Sequence, residues 1–168
     1  VIYVKEVEDP RRFGVAVVRD GQIVQLIEKP DSMDNNLAVI GLYYVKDAQL
    51  LMRSIGELID HGIKTKGEYF LADALQVMID RGAVFRAEPV SVWEDCGKPE
   101  TVLQTNRYLL KLSGGHVNKL DSSMIIPPVY IADNAQVSES VIGPYVTIAE
   151  DTVVRRSIIR DSIINKGA

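Results

Sequence analysis

Two short stretches of this sequence carry side chains suited to a small, anionic, hydroxyl-rich ligand. The first is Glu28-Lys29-Pro30, which closes an apolar run that reads as a strand. Pro30 has no N–H to donate and ends the ladder, so both charged groups fall where a strand feeds a loop. A carboxylate can accept hydrogen bonds from two hydroxyls, and an ammonium meets a phosphate as a point charge. Neighbours in a regular strand point to opposite faces, but the break at Pro30 would let both turn to one pocket. Taken alone, the pair reads more readily as solvated surface. The second stretch is Trp93-Glu94-Asp95-Cys96-Gly97-Lys98-Pro99-Glu100. Asp95 follows a strand and precedes a helix, and Gly97 permits an unusual backbone angle there. A hard oxygen ligand at such a turn suits Mg²⁺, which is held by one or two carboxylates plus substrate phosphates. An N-cap for the following helix explains the same aspartate equally well.

Other polar positions are weaker candidates. Asp9-Pro10-Arg11-Arg12-Phe13-Gly14 reads as a turn, with Gly14 allowing close approach to the backbone. Lys66-Gly67-Glu68 precedes a helix, and helix N-termini favour anions. Asp73, on that helix, reads as a structural contact rather than a catalyst. Cys96 reads as packing, and His61 and His116 as surface residues in loops.

The elements that must position these groups fall into two zones. In the first, through residue 112, Asp20-Gly21 between two apolar runs signals a hairpin. Residues 39–45 and 83–92 read as further strands. Helices are expected from the apolar spacing of Ala48, Leu51, Ile55, Leu58 and Ile59, and from that of Leu71, Ala74, Leu75 and Met78, the second ended by Gly82. A third starts with Pro99 at its first position, where a missing N–H costs nothing. Ser113-Gly114-Gly115 reads as a flexible joint.

From residue 113 to 168 the period changes. Aliphatic residues recur at Ile125, Ile131, Val137, Ile142, Ile148, Val154, Ile159 and Ile164, five or six residues apart. Ala135, Ser140, Thr152, Ser157 and Ser162 each stand two positions before one of them. No α-helix has that period, and a repeating hexapeptide with a buried aliphatic marks a β-helix; a run of short hairpin strands is the alternative. The last turn is expected to be unfinished at Ala168 and so to expose an apolar end. The parent chain continues there, or the end packs on a partner, and a homo-oligomer is expected. The chain opens on the strand-like Val1-Ile2-Tyr3-Val4 without an initiator methionine, and reads as an excised piece.

The bulk numbers bound the function. The chain has 168 residues, of which 46% are hydrophobic and 25% charged. That is a globular composition. Its 19 basic and 23 acidic residues give a net charge of -4, which disfavours nucleic-acid binding by phosphate neutralisation. The single cysteine rules out an internal disulfide and fits a reducing, cytoplasmic setting. No run approaches the ~18 apolar residues of a membrane span, and no signal peptide is evident.

Order and spacing then carry more than any one motif. Asp9-Pro10, Phe13-Gly14-Val15, Asp20-Gly21, Glu28-Lys29-Pro30, Asn36, Val39, Gly41-Leu42-Tyr43, Gly67-Glu68, Asp73-Ala74 and Asp95-Cys96-Gly97-Lys98-Pro99 follow one another along nearly the whole chain. This series resembles the second half of the sugar-1-phosphate nucleotidyltransferase domain of glucose-1-phosphate thymidylyltransferases and uridylyltransferases. The tail is similar to that of members carrying a left-handed β-helix. The resemblance implies an α/β fold: the C-terminal half of a Rossmann-like nucleotidyltransferase domain (1–112), then a left-handed parallel β-helix of hexapeptide repeats (113–168). It implies transfer of a nucleotidyl group from an NTP, dTTP or UTP, to a sugar 1-phosphate such as glucose 1-phosphate, with Mg²⁺ as cofactor. Carried over residue by residue, Glu28 would hold sugar hydroxyls and Lys29 the sugar phosphate, and Gly14 and Val39 would line the sugar with backbone. Lys66 stands near where some members place a phosphate-binding arginine, and Asp95 would be one of two metal-binding aspartates. Lys29 and Asp95 are thus the expected catalytic residues.

Two departures matter. The family's Gly-rich nucleotide loop and its other metal-binding aspartate are absent, so the chain alone is expected to be inactive. Lys98 stands where a threonine is common. An assembly or regulatory module built on the β-helix is the alternative function. A hexapeptide acyltransferase is disfavoured because the repeats hold no histidine after His116.

Overall fold

The computed structural model describes residues 1–118, 120 and 122–168. They form two compact units, Val1–Trp93 and Glu94–Ala168.

The first unit is a strand-rich α/β assembly. Its strands are β1 (Ile2–Glu6), β2 (Gly14–Arg19), β3 (Gln22–Glu28), β4 (Leu37–Tyr43) and β5 (Phe85–Pro89). They close in the order β1-β4-β2-β3-β5, with β5 returning to β1. The expected Asp20-Gly21 hairpin joins β2 to β3, with φ of 50° at Asp20 and 74° at Gly21. Two successive positive angles are what a type I′ turn requires. Only β1 and β5 pair in parallel; the other pairs are antiparallel. The parallel array that "Rossmann-like" implies is thus represented by a single pair, because a two-residue hairpin can join only antiparallel neighbours. Ile2, Val4, Ala16, Ile23, Leu26 and Phe85 are buried with Leu75 and Met78 in one core.

Helices α1 (Ala48–Asp60) and α2 (Leu71–Asp80) lie where the apolar spacing places them. Asp47 caps α1 by accepting the Leu50 N–H at 2.8 Å, which satisfies a donor the helix itself leaves free. No side chain caps α2 at Phe70. Gly82, at φ 89°, ends α2, and Ala83 donates its N–H back to Met78, the usual use of a left-handed glycine. That turn consumes the start of the strand expected over 83–92, leaving β5 as Phe85–Pro89. β4 begins and ends two residues before the expected 39–45.

The second unit begins with α3 (Pro99–Ser113) and continues as β6 (Met124–Ile125), β7 (Val129–Ile131), β8 (Gln136–Ser138), β9 (Val141–Ile142), β10 (Val146–Ile148), β11 (Val153–Arg155), β12 (Ile158–Ile159) and β13 (Ser162–Ile164). The chain visits three parallel sheets in rotation: β6-β9-β12, β7-β10-β13 and β8-β11. Short hairpins would give antiparallel pairs, so this register excludes that alternative. All eight residues of the aliphatic period are buried in, or packed against, one core.

The corners explain the spacing. Glu139, Tyr145, Asp151, Arg156 and Asp161 have φ of 48–62°, turning the chain between faces. After four of them, Ser140, Thr152, Ser157 and Ser162 each reach back with the hydroxyl to the carbonyl two residues earlier, at 2.7–3.4 Å. Short hydroxyl side chains favour such local backbone bonds. α3 packs on the coil through the Arg107–Asp161 ion pair and the bond from Thr147 to Asn106. The supposed joint at residues 113–115 is a helix end: Ser113 and Gly114 are exposed, Gly114 caps α3 at φ 76°, and only at Gly115 is space tight, where a Cβ would lie 2.2 Å from the Val129 carbonyl oxygen.

Candidate active site

Gly14 and Glu28 are cross-strand partners at the ends of β2 and β3. A Cβ on Gly14 would lie 2.8 Å from Glu28 Oε2. The missing side chain is therefore what lets the carboxylate lie across the strand. The β2–β4 ladder holds one pair, Val15 with Ala38. In that antiparallel register Gly14 and Val39 come next and lie beyond its end. The Val39 side chain packs on the core, and Gly14 has none.

β3 ends at Glu28, and the break comes at Lys29, one residue before the proline: φ at Lys29 is 46° while its N–H still donates to the Phe13 carbonyl at 3.0 Å. Lys29 Nζ lies 4.8 Å from the Phe70 ring centroid and 3.9 Å from Glu68 Oε2, so a ring face and a carboxylate both attract it. Lys66, at φ 50°, donates to the Lys29 carbonyl at 2.7 Å and pairs with Asp31 at 3.4 Å. Glu28, Lys29 and Lys66 thus gather beside the loop leading into α2.

Burial is the main reason the Glu28 carboxyl titrates above its ordinary range; Asp73 and Glu68 push it the same way, while Lys29 and Lys66 oppose them. The Tyr43 hydroxyl is also raised, by burial and then by the Glu28 charge. A half-buried carboxylate beside two ammonium groups suits a ligand with hydroxyls at one end and a phosphate at the other. Sequence spacing does not single out Phe70, Tyr43 or Glu68 as site residues. It reads Asp73 as structural, although a polar residue flanking the apolar face of α2 is the available signal.

Asp95 lies in the second unit. Its Oδ1 accepts the Gly97 N–H at 3.2 Å, making a local turn of the kind aspartates favour. The N-cap of α3 is Lys98, whose N–H meets the Thr101 hydroxyl at 3.2 Å, so Asp95 is not the cap. Gly97 is not in the left-handed region. Its value is space, since a Cβ would lie 3.2 Å from Asp95 Oδ1. The exposed Cys96 thiol donates to Thr105 at 3.4 Å. Among the described residues no three or more His, Cys, Asp or Glu side chains gather as a metal site. Asp95 fits Mg²⁺ as one hard oxygen donor, the number of protein carboxylates a phosphate-bound ion needs at minimum. Among the described residues no helix is long and apolar enough to cross a membrane.

A strand-rich α/β unit with a cluster of carboxylate and ammonium side chains, followed by a parallel β coil, defines a class of two-part proteins. The chain belongs to the nucleotidyl transferase family, whose model matches residues 1–111, and a GlmU-like C-terminal hexapeptide model matches residues 110–168. It is 30% identical over 183 aligned residues to a glucose-1-phosphate thymidylyltransferase of Streptomyces griseus, covering 96% of this chain and 50% of that protein. It is 30% identical over 189 residues to the bifunctional protein GlmU of Methanocaldococcus jannaschii, covering 98% and 45%. A Bacillus anthracis crystal structure, assigned as a glucose-1-phosphate thymidylyltransferase in complex with sucrose, matches with TM-score 0.50 and 28% identity, covering 64% of this chain and 42% of that one. The chain spans about half the length of these curated relatives.

Proposed function

We propose that the protein containing these residues transfers a nucleotidyl group from an NTP, dTTP or UTP, to a sugar 1-phosphate, with glucose 1-phosphate the first candidate. A phosphate oxygen of the sugar phosphate forms the new bond to the α-phosphorus, the α–β bridge bond breaks, and pyrophosphate leaves with that electron pair. The observation that carries the reading is the Gly14–Glu28 arrangement beside Lys29. Glu28 accepts sugar hydroxyls, and Gly14 and Val39 line the sugar with backbone. Lys29 holds the phosphate, and Lys66 fixes the Lys29 backbone while adding positive charge. Asp95 would supply one oxygen ligand to Mg²⁺, which would neutralise charge on the phosphates when bound. The coil winds as a left-handed β-helix, a reading supported by the hexapeptide match. A cytoplasmic setting fits the single cysteine.

Pyrophosphate release tests this reading. A longer polypeptide containing these residues should release pyrophosphate from dTTP or UTP with glucose 1-phosphate and Mg²⁺, and Asp95→Asn should lower the rate roughly 100-fold or more, the order of a lost electrostatic contact. The 168-residue chain alone should release none, because its sequence holds no Gly-rich nucleotide loop. Turnover by the chain alone, or none by the longer polypeptide with any NTP and sugar 1-phosphate, would sink the proposal.

A second reading is an assembly module. Met124, Val141 and Ile158 stand in register along one sheet, with Ile158 82% exposed. An apolar row of that kind favours self-association. Light scattering should show a homo-oligomer that Ile158→Glu dissociates; a strictly monomeric chain at high concentration removes this reading.

A further inference from the structure

Asp73 stands one helical turn before Gln76 on α2, on the same face of the helix. Gln76 Oε1 accepts the Leu26 N–H at 2.8 Å, pinning that face to β3. Glu28 lies two residues beyond Leu26, on the same side of the strand. The Gln76 contact holds this turn of α2 against β3, and Asp73 is among the charges that act on Glu28. Asp73 Oδ2 is shielded from solvent and has no hydrogen-bond partner. The two ammonium groups that act on Glu28 are directed elsewhere: Lys29 to Glu68 and the Phe70 ring, Lys66 to the Lys29 carbonyl and Asp31.

A shielded carboxylate oxygen without a donor is costly, and a folded protein keeps few of them. Asp73 lies in the first turn of α2, where an acid does favour the helix. That benefit needs only the charge, and an exposed side chain would supply it. The shielded oxygen needs a donor. A second carboxylate whose charge acts on Glu28 repels phosphate and suits a hydroxyl.

We propose that Asp73 is a second hydroxyl acceptor of this site, holding a ring hydroxyl that Glu28 does not reach, so that the site selects sugar 1-phosphates bearing that hydroxyl. The inference rests on the sugar-phosphate reading of Glu28 and Lys29.

The test is calorimetric titration of the full chain with glucose 1-phosphate, its 2-, 3-, 4- and 6-deoxy analogues, and inorganic phosphate. The wild type should bind one analogue roughly 10- to 100-fold more weakly, the range for a hydrogen bond to a charged group. Asp73→Ala should lose the same factor toward glucose 1-phosphate, bind that analogue as the wild type does, and leave inorganic phosphate unchanged. Asp73→Asn, which keeps an acceptor oxygen, should lose less. Unchanged affinity for glucose 1-phosphate in Asp73→Ala overturns the proposal, as does an equal loss toward every ligand. If the Asp73 variants fail to fold, Glu28→Ala decides: a deoxy penalty that survives in it supports a second acceptor, and loss of every penalty overturns one. A wild type that binds no sugar 1-phosphate defeats the sugar-phosphate reading itself. A wild type that needs Glu28 but not Asp73 defeats this inference alone.

Discussion

Gly14 is the cross-strand partner of Glu28, and the Glu28 carboxylate occupies the space a Gly14 side chain would fill. The oxygen that meets the hypothetical Cβ at 2.8 Å ends a flexible side chain, so the fold can yield there while the geometry of the site cannot. Gly14→Ala is therefore expected to shift the melting temperature little and to weaken glucose 1-phosphate binding about 10-fold, the cost of one misplaced hydrogen bond to a charge. Thermal melts and calorimetry on the same samples check this. A large fall in melting temperature with unchanged binding would contradict it.

Titration of Glu28 tests the electrostatics. Its carboxyl, observed by NMR, should have a midpoint above the ordinary glutamate value, raised chiefly by burial. Lys29→Ala should raise it further, and Asp73→Asn should lower it. The sign for stability follows: a carboxyl whose folded pKa is raised binds its proton more tightly folded than unfolded, so its ionisation costs stability above the folded pKa and that cost vanishes as pH falls below the unfolded value. Glu28→Gln should accordingly stabilise the protein at neutral pH and leave acid stability unchanged.

Asp9 shows the opposite shift. Its side-chain hydrogen bonds to Arg11, with the Arg11 backbone N–H, hold its pKa at about 2. The stabilisation is present above the unfolded pKa and is lost as pH falls through the folded one. Arg11→Ala should return the Asp9 midpoint toward the ordinary aspartate value, and NMR titration reads this directly.

The coil separates inward from outward positions. Ile148 is fully buried, whereas Ile158 is 82% exposed. Ile148→Ala should cost about 2–5 kcal/mol in denaturant unfolding, and Ile158→Ala under about 0.5 kcal/mol. Ser140, buried at a corner, donates to the Ser138 carbonyl and accepts from the Ser157 N–H. Ser140→Ala should cost about 1–3 kcal/mol, because the Ser157 donor loses its partner. Equal effects at positions 148 and 158 would contradict the assigned register.

Much of this is legible in the chain, for physical reasons that differ from place to place. Asp20-Gly21 and Pro99 declare local geometry, since few backbone conformations suit them. The residues from Ile125 to Ile164 reveal the coil because each buried aliphatic sits at the same step of a repeated turn. Glu28 and Lys29 stand out through the strand break, although the break lies at Lys29 itself. Gly97 misleads: its use is room for Asp95, not backbone freedom. The site's remaining neighbours stay hidden because they depend on packing between distant segments. Lys66 reaches the Lys29 carbonyl across 37 residues of sequence, and the Asp73 charge acts on Glu28 because α2 packs on β3, through the shared core and the bond from Leu26 to Gln76.

The central claim is that Glu28 and Lys29 bind the two ends of one sugar phosphate. Calorimetric titration of glucose 1-phosphate and inorganic phosphate into wild type, Glu28→Ala and Lys29→Ala tests it most directly. Both variants should bind glucose 1-phosphate at least roughly 10-fold more weakly, and only Lys29→Ala should also lose affinity for inorganic phosphate. Wild-type affinity for glucose 1-phosphate in both variants would contradict the account.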